Sequence, residues 1–405
     1  MNANAMNFIS QRLLMIKPSP SIAANDLVNK LRSEGKDIVN FTIGEPDFDT
    51  PEHIMQAAIE AMRKGETHYT NAAGTLAVRE AISEKLKRDN QLDYGINEIV
   101  CGSGGKPLIF HAFAATLDVQ DEVIINAPYW VSYPDLATLN EATPVVIEGQ
   151  QENGFKLTAE KLAPAITEKT RWVVLNYPNN PTGAVYTKQE LEELAELLRH
   201  HPHVLIMLDE IYEFFVYDNH QHISLAQIAP DLKERILIIN GASKGYAMTG
   251  WRIGYAAGPE WLIKAMTKLI SQTTTCPSSV SQAAAVAAFR GDQKPIYDML
   301  EIYKTRRQRV VELLKQINGL EFEPPQGAFY VFANIAGLIG KTTPQGHLIQ
   351  SDTDLVEYLL REGGVATVGG QAYGMSPFIR LSFASSIEVI EEGCKRIKNA
   401  VEKLI

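Results

Sequence analysis

Cysteine and histidine are scarce in this sequence, which argues against disulfides and metal sites. Its three cysteines, Cys101, Cys276 and Cys394, are too few and too far apart for a disulfide framework or a paired metal site. The histidines at 200–203 lack the helical spacing with a carboxylate that a metal site would need. We therefore expect reduced thiols and no bound metal.

Long apolar runs and basic clusters are also missing. No run reaches the length of a membrane span, and the first residues do not form the basic and apolar regions of a signal peptide. With a net charge of −10 and no basic block, the chain lacks the footprint of a nucleic-acid-binding protein. These absences predict a cytoplasmic protein that binds neither nucleic acid nor membranes.

What the 405-residue chain does contain is a series of short apolar runs, each ending in polar or turn residues. The clearest runs are Glu122–Ile125, Trp172–Leu175, Val204–Leu208 and Ile236–Ile239. Their apolar residues do not alternate with polar ones, a pattern typical of strands buried on both faces. Helical patterns separate them, as at Thr187–Leu198, where leucines form one stripe behind a capping box. The alternation predicts an α/β fold with a mainly parallel sheet, whose ligands bind beyond the carboxyl ends of the strands.

A change of pattern near residue 297 predicts a second, smaller domain over residues 297–405. A charged helical stretch opens it, and a proline-rich segment starting at Pro324 follows. It is expected to hold a helix over Asp352–Glu362, a strand over Phe378–Phe383 and a terminal helix from Ile387. Because chain ends often lie together, residues 1–46 are expected to pack with it. Residues 47–296 would then form the large domain.

Two ionisable residues follow predicted strands. Asp209 comes directly after the run ending at Leu208, where a carboxylate could keep a heteroaromatic ring nitrogen protonated or could serve as a helix cap. Tyr212, three residues later, can reach the same ligand. Lys244 follows the run Ile236–Ile239, and its amine could form an imine with a carbonyl cofactor, although most single lysines are solvated surface charges.

A glycine-rich turn and an arginine suit a phosphate. Gly104, Gly105 and Lys106 lead into an apolar helix, so free backbone amides and the helix dipole could hold an anion. Pro107 stands where a Walker loop would place Ser or Thr, which excludes that motif. Arg252, eight residues after Lys244, could pair with the same group or form an ordinary ion pair.

Three further side chains suit a flat, charged ligand. Asn180 lies in a rigid turn that contains two prolines. Trp130 offers a flat face for stacking, although core packing is the commoner role of a tryptophan. Arg380 on a predicted strand could clamp a carboxylate with two parallel hydrogen bonds.

Taken together and in this order, these motifs resemble one family. The chain is similar to the fold type I, class I aminotransferases that depend on pyridoxal phosphate, and within them to the bacterial aspartate and aspartate/prephenate aminotransferases. The resemblance runs from Lys17-Pro18-Ser19 and Gly44–Phe48 to Arg380–Ala384, so it covers nearly the whole chain.

The resemblance implies a large domain with a seven-stranded, mainly parallel sheet flanked by helices, and a smaller α+β domain from both chain ends. It implies pyridoxal 5′-phosphate as the cofactor, with Lys244 as its Schiff-base partner and the catalytic residue. The implied cofactor-binding residues are Tyr69, Gly104, Gly105, Lys106, Trp130, Asn180, Asp209, Tyr212, Ser243, Lys244 and Arg252. Asp209 would pair with the pyridine nitrogen, and Tyr69 would reach the phosphate from a partner subunit, since the family is typically a homodimer with shared sites.

The resemblance also implies transfer of the α-amino group of an L-amino acid, with aspartate expected, to 2-oxoglutarate or another 2-oxo acid by a ping-pong mechanism. The implied substrate-binding residues are Gly44, Trp130, Asn180, Arg380 and Arg12. Arg380 would grip the α-carboxylate. Arg12 is our candidate for the distal carboxylate, although a solvated arginine explains it as well.

Other activities stay open at this stage. A lysine that some relatives carry after the glycine turn is missing from Phe110–Ala114, which leaves aromatic, prephenate or methionine substrates possible. A carbon–sulfur lyase or an aminocyclopropane-carboxylate-forming enzyme would use nearly the same cofactor residues. A regulator that binds the cofactor without turnover is a further alternative, but residues 1–40 are too short and insufficiently basic for a DNA-binding domain.

Overall fold

A computed structural model describes residues 8–16 and 20–405 of the protein. Lys17-Pro18-Ser19, one of the segments that carries the resemblance, lies outside the described residues, as do residues 1–7 of the predicted N-terminal segment. None of the helices within the described ranges is both long and apolar enough to cross a membrane.

Most strands of the described residues belong to one sheet, here called the central sheet. The strands are β1 Val39–Asn40, β2 Ile99–Gly102, β3 Glu122–Ala127, β4 Thr143–Glu148, β5 Thr170–Asn176, β6 Leu205–Asp209, β7 Ile236–Gly241, β8 Gly254–Ala257, β9 Tyr330–Asn334, β10 Val365–Ala366, β11 Val368–Gly369 and β12 Phe378–Ser382. Seven of these described strands form the central sheet in the order β2-β8-β7-β6-β5-β3-β4. The strands from β3 to β7 pair in parallel, whereas β8 runs antiparallel to both β2 and β7. The expected seven-stranded, mainly parallel sheet is confirmed.

Helices cover both faces of the central sheet. Over the described residues they are α1 Gln11–Leu14, α2 Pro20–Ser33, α3 Glu52–Arg63, α4 Leu76–Asn90, α5 Gly105–Thr116, α6 Ser132–Leu139, α7 Ala159–Leu162, α8 Lys188–Arg199, α9 Leu225–Ile228, α10 Glu260–Thr273, α11 Ser279–Arg290, α12 Lys294–Leu314, α13 Asp352–Glu362 and α14 Ile387–Val401. In β6, Ile206 and Leu208 pack into one core with α4 and α11, while Leu205 and Met207 pack into another with α5 and α10. This two-sided packing is why the four apolar runs do not alternate with polar residues.

A third core lies among the elements nearest the two chain ends. The antiparallel sheet β11-β12-β9 and the parallel pair β1-β10 pack there with α12, α13 and α14. Tyr212, from the segment after β6, also belongs to this core and so links it to the central sheet. The predicted boundary between residues 296 and 297 lies inside α12, and the division into domains stays a prediction.

A buried ion pair supports the segment that follows β6. Lys85 of α4 donates to Glu213, and their side chains are only 1% and 4% exposed. Asn90 and Asn240 donate further hydrogen bonds to the Glu213 carboxylate, at 2.8 Å each. Burial alone would raise the pKa of Glu213, but the Lys85 charge and the hydrogen bonds from Lys85 and Asn90 hold it below its ordinary value. Because Asn240 belongs to β7, the network ties the segment after β6 to the end of β7.

Replacing Lys85 should therefore destabilise the protein strongly. Lys85→Ala leaves the Glu213 carboxylate buried without its counter-ion, and we expect the free energy of unfolding to fall by about 3 kcal/mol. Urea denaturation of the cofactor-free protein at neutral pH measures this loss.

Lys64→Ala is the matched control. Lys64 pairs with Glu60 one helical turn away, and both side chains are more than half exposed. Its loss should change stability by less than about 0.5 kcal/mol. A Lys85→Ala protein as stable as Lys64→Ala would contradict the role assigned to the buried pair.

Candidate active site

A cavity of about 480 Å³ opens beyond the carboxyl ends of β5, β6 and β7, where the sheet topology predicts a ligand site. Most of the residues expected to bind cofactor or substrate line it: Gly44, Gly105, Lys106, Trp130, Asn180, Asp209, Tyr212, Ser243, Lys244, Arg252 and Arg380. The fold thus brings together residues that lie far apart in the sequence.

Lys244 follows β7 and lies half-buried in the cavity. Its Nζ donates to the backbone carbonyl of Gly44, and the same atom lies 5.9 Å from the centre of the Tyr212 ring. Burial lowers the pKa of Lys244 to about 8, an effect that the nearby charge of Glu45 opposes. A larger fraction of this amine is therefore neutral near pH 7 than for an ordinary lysine.

Asp209 ends β6, and its carboxylate is buried. The hydroxyl of Tyr133 donates to its Oδ2 at 2.6 Å, and the amide of Ile211 approaches Oδ1 at 3.4 Å. Burial raises the pKa of Asp209 to about 6, while the Tyr133 hydrogen bond acts in the opposite direction. Such a carboxylate would be stabilised by a cationic partner in the cavity.

Tyr133 is a residue that the sequence reasoning missed. It lies near the start of α6, and its ring meets the Trp130 ring edge-on, with the centroids 5.2 Å apart. The signal that could have found it is its position one helical turn after Trp130, which places both side chains near the end of β3. Tyr133 therefore contacts two of the predicted cofactor-binding residues at once.

Arg380 of β12 reaches the cavity from the third core. Its Nη1 donates to Asn180 Oδ1 at 3.1 Å and its Nη2 to the carbonyl of Thr42 at 2.6 Å. The guanidinium lies 4.4 Å from the Tyr330 ring centre and 5.3 Å from that of Tyr373. Its buried Nε has no hydrogen-bond partner among the described residues. This unsatisfied donor, on a guanidinium that lines the cavity, suits a carboxylate.

The opposite end of the cavity is built around glycines. Gly104 has φ of 103°, and a Cβ atom there would collide with the Arg252 guanidinium. A Cβ at Gly254 would lie 2.6 Å from the backbone nitrogen of Gly105. Because these glycines lack side chains, the N-terminus of α5, Ser243 and the Arg252 guanidinium can lie close together. Their hydrogen-bond donors form a set that fits a phosphate.

Lys106 was expected to contribute its backbone amide, but its side chain also belongs to the site. Its side chain lines the cavity, with Nζ 4.8 Å from the centre of the Trp130 ring. Burial, and secondarily the charge of Arg252, lower its pKa. The sequence reasoning looked for such a lysine in Phe110–Ala114, later in the same helix, and so overlooked this cation.

Three predicted residues, Gly104, Tyr69 and Arg12, are not among the residues that line the cavity within one chain. Tyr69 is 87% exposed. Arg12 lies 4.0 Å from Glu141 in a largely exposed ion pair. Their assignments to the site stay predictions. Among the described residues, no group of three or more His, Cys, Asp or Glu is placed to hold a metal ion.

The chain matches proteins whose family is known. Residues 36–397 match the family model described as aminotransferase class I and II. A probable aspartate/prephenate aminotransferase of Rickettsia felis is 47% identical over 395 residues, which are 98% of this chain and 97% of the relative.

Solved structures agree along the same length. The crystal structure of the Rhizobium meliloti aspartate aminotransferase has a TM-score of 0.95 and 47% identity, and the match covers 98% of this chain and 99% of that one. The Thermus thermophilus aspartate aminotransferase with maleate has a TM-score of 0.91 and 40% identity, covering 97% and 99%. The fold type I architecture, the pyridoxal-phosphate cofactor and the capacity for amino-group transfer follow from these matches. With its family match and its relatives both extending along most of its length, this chain belongs to the class I and II aminotransferases.

Proposed function

We infer that the protein transfers the α-amino group of an L-amino acid, with aspartate the preferred donor, to 2-oxoglutarate or another 2-oxo acid in a ping-pong reaction. The observation that carries this proposal is that an amine, a carboxylate and a guanidinium, those of Lys244, Asp209 and Arg380, face one cavity. Similarity to aspartate and aspartate/prephenate aminotransferases supports aspartate as the donor.

The cavity fits the cofactor at both ends. When bound, pyridoxal phosphate would be held by Lys244 through a Schiff base and would supply the carbon that carries the amino group and a ring that takes up electron density. The amides of Gly105 and Lys106, with Ser243 and Arg252, would hold its phosphate. Trp130 would stack on its ring.

Lys244 is proposed as the general base and acid. Once its amine is released by an incoming amino group, its neutral form could accept the α-proton of the substrate and return it to the cofactor carbon that carries the amino group. The lowered pKa near 8 supports this role, because roughly a tenth of the amine is then unprotonated at pH 7, far more than for an ordinary lysine. Gly44, whose carbonyl accepts from the Nζ, would orient the amine.

Asp209 is proposed to hold a proton on the ring nitrogen. A cationic nitrogen beside a buried carboxylate would lower the pKa of Asp209 from its value near 6 and would itself be kept protonated. Tyr133 supports the anionic form by donating to Oδ2. Tyr212 and Asn180 are proposed to donate hydrogen bonds to the ring's phenolic oxygen.

We propose that Arg380 and Lys106 each bind one of the two carboxylates of a dicarboxylic substrate. Arg380 is proposed to bind the α-carboxylate, because its side chain is already fixed by Asn180 and Thr42. Lys106 is proposed to bind the distal carboxylate, since it is a cation of the cavity not assigned to the other groups. The maleate named with the Thermus thermophilus relative is a dicarboxylate, which supports a site for two carboxylates.

Completion of the site by a partner subunit is also proposed. Tyr69 and Arg12 are exposed on one chain, and a homodimer with shared sites would let Tyr69 contact the phosphate and Arg12 the distal carboxylate of the neighbouring cavity. We further propose the division into residues 1–46, 47–296 and 297–405, and a cytoplasmic location.

Replacing Lys244 tests the central assignment. Lys244→Ala should lose at least about 1000-fold in turnover, because the variant lacks the amine proposed to move the α-proton. The protein should stay folded and should bind the cofactor without a covalent bond. After borohydride reduction and denaturation, gel filtration should remove the cofactor from Lys244→Ala but not from the wild-type protein. Lys264→Ala, which changes an exposed lysine paired with Glu260, is the control. Turnover at the control level would refute the role.

A donor screen tests the substrate. With 2-oxoglutarate as acceptor, aspartate should be used better than tyrosine, methionine or arogenate. Lys106→Met should lower kcat/KM for aspartate about 10- to 100-fold more than for tyrosine, because one charged hydrogen bond is lost only with the acidic substrate. Arg12→Ala makes the same comparison for the other candidate. Equal losses with both donors would reject the distal-carboxylate role of the residue changed. Formation of ammonia and pyruvate from a sulfur amino acid, in the absence of an oxo acid, would overturn the transaminase proposal.

The raised pKa of Asp209 predicts a pH-dependent stability. Its value near 6 lies above the ordinary 3.8, so the folded protein holds this proton more tightly than the unfolded chain and loses stability as pH rises from about 4 through 6. Asp209→Asn should therefore make the cofactor-free protein more stable at pH 7–8, by about 1–3 kcal/mol, with little difference near pH 4.

Urea denaturation across this pH range measures the effect. Tyr133→Phe should act in the opposite direction, since it removes the hydrogen bond that favours the carboxylate. Parallel pH profiles for Asp209→Asn and the wild-type protein would show that the carboxylate carries no such cost.

A further inference from the structure

The hydroxyl of Tyr330 lies at the junction between the carboxylate-binding arginine and the cofactor side of the cavity. Tyr330 opens β9, and its hydroxyl lies 2.7 Å from the hydroxyl of Tyr212. In the antiparallel pairing of β9 with β12, Tyr330 faces Ser382, two residues from Arg380. This diagonal position puts the Tyr330 ring under the Arg380 guanidinium, 4.4 Å away.

The Tyr330 hydroxyl also borders the backbone that receives Lys244. A Cβ at Gly44 would lie 3.2 Å from the Tyr330 hydroxyl oxygen, and the Gly44 carbonyl accepts from Lys244. One buried tyrosine therefore lies next to Tyr212 and the backbone partner of the lysine through its hydroxyl, and next to Arg380 through its ring. No sequence motif singled this residue out.

We propose that Tyr330 is a positioning residue that makes Tyr212 a stronger hydrogen-bond donor to the cofactor and couples it to Arg380. This inference rests on the proposed function, in which Tyr212 donates to the ring's phenolic oxygen. A tyrosine hydroxyl has a single proton. If Tyr212 gives its proton to the cofactor oxygen, the hydrogen bond between the two tyrosines must run from Tyr330 to Tyr212.

The direction of this hydrogen bond has a chemical consequence. Hydrogen bonds in a chain polarise one another, so a donor to the Tyr212 oxygen strengthens the bond that Tyr212 donates. That bond favours negative charge on the phenolic oxygen of the cofactor. Arg380 adds to this effect, because its charge lies over the ring of Tyr330 and favours electron density on that residue.

Coupling to the substrate follows from the same contacts. In the described structure, Arg380 donates to Asn180 and Thr42 while its guanidinium packs on Tyr330. A carboxylate bound to Arg380 would partly neutralise its charge at the Tyr330 ring. The hydrogen bond to the cofactor oxygen would then weaken when substrate is bound, which raises the affinity of the cofactor nitrogen for a proton.

Tyr330→Phe removes only the hydroxyl, since the ring that packs on Arg380 and on Phe329 is kept. The measurement is the pH midpoint of the absorbance change of the bound cofactor, for four proteins: wild type, Tyr330→Phe, Tyr212→Phe and the double variant. We expect Tyr330→Phe to raise the midpoint by about 0.3–1 pH unit, the size expected of one neutral hydrogen bond. Against Tyr212→Phe, the added Tyr330→Phe change should shift it no further.

A purely structural role predicts a different pattern. If Tyr330 only fills space, its change would leave the midpoint at the wild-type value, or would shift it equally with and without the Tyr212 hydroxyl; either result overturns the inference. Tyr373→Phe is the control, because it removes a hydroxyl from the other ring against Arg380. It should leave the midpoint unchanged, and a shift as large as that of Tyr330→Phe would also overturn the inference.

Two further readouts separate this inference from the proposed function. Saturation with succinate, a dicarboxylate that carries no amino group, should raise the midpoint of wild type more than that of Tyr330→Phe; equal rises would remove the coupling to Arg380. The pH-dependent absorbance band should itself disappear in Lys244→Ala. If the band survives there, the proposed Schiff base fails, whereas a normal wild-type titration with no effect of Tyr330→Phe overturns the Tyr330 assignment alone. Thermal unfolding of the cofactor-free variants ensures that all midpoints refer to folded protein.

Discussion

The parallel register of β5, β6 and β7 is the constraint on which the site depends. It places Asn176 opposite Asp209, and Asp209 opposite Ile239, so the residues that follow these strands emerge side by side at one edge of the central sheet. Helices on both faces then exclude water from the strands but leave this edge open. The oppositely charged groups of Lys244 and Asp209, which are distant in sequence, thereby line one partly buried cavity.

Burial sets the acid–base character of that cavity. It lowers the pKa of Lys244 to about 8 and raises that of Asp209 to about 6, so each group titrates far closer to neutrality than it would in water. Neighbouring groups limit these shifts, Glu45 for the lysine and Tyr133 for the aspartate. The buried ion pair of Lys85 and Glu213, with Asn240, holds the segment after β6 against the end of β7. An unpaired charge buried there would be costly.

The sequence predicted the strands and most of the cavity because those features are local. An apolar run buried on both faces and the polar residue that ends it can be recognised within a few positions, as Leu208 and Asp209 illustrate. Tyr330 could not be predicted in this way, since it meets Tyr212 only through tertiary packing. Tyr133 has a local signal in its position one turn after Trp130, but its hydrogen bond to Asp209 depends on tertiary packing. The Lys106 side chain was overlooked for a different reason: such a lysine was expected in Phe110–Ala114, later in the same helix. Tyr69 and Arg12 do not line the cavity within one chain, and their roles stay predictions.

The connection between β7 and β8 carries two residues of the cavity, Lys244 and Arg252. Because β8 runs antiparallel to β7, the chain leaves the sheet after Gly241 and re-enters it at Gly254 on the same edge. Lys244 and Arg252 therefore lie near the two ends of one connecting segment. The distance between them is limited by the length of that segment. If β8 were parallel to β7, the connection would have to cross to the opposite end of the sheet before β8 could begin. Insertions are usually tolerated in loops, but here one added residue would change the reach between the two anchors, so this connection should be among the least variable in length in the fold.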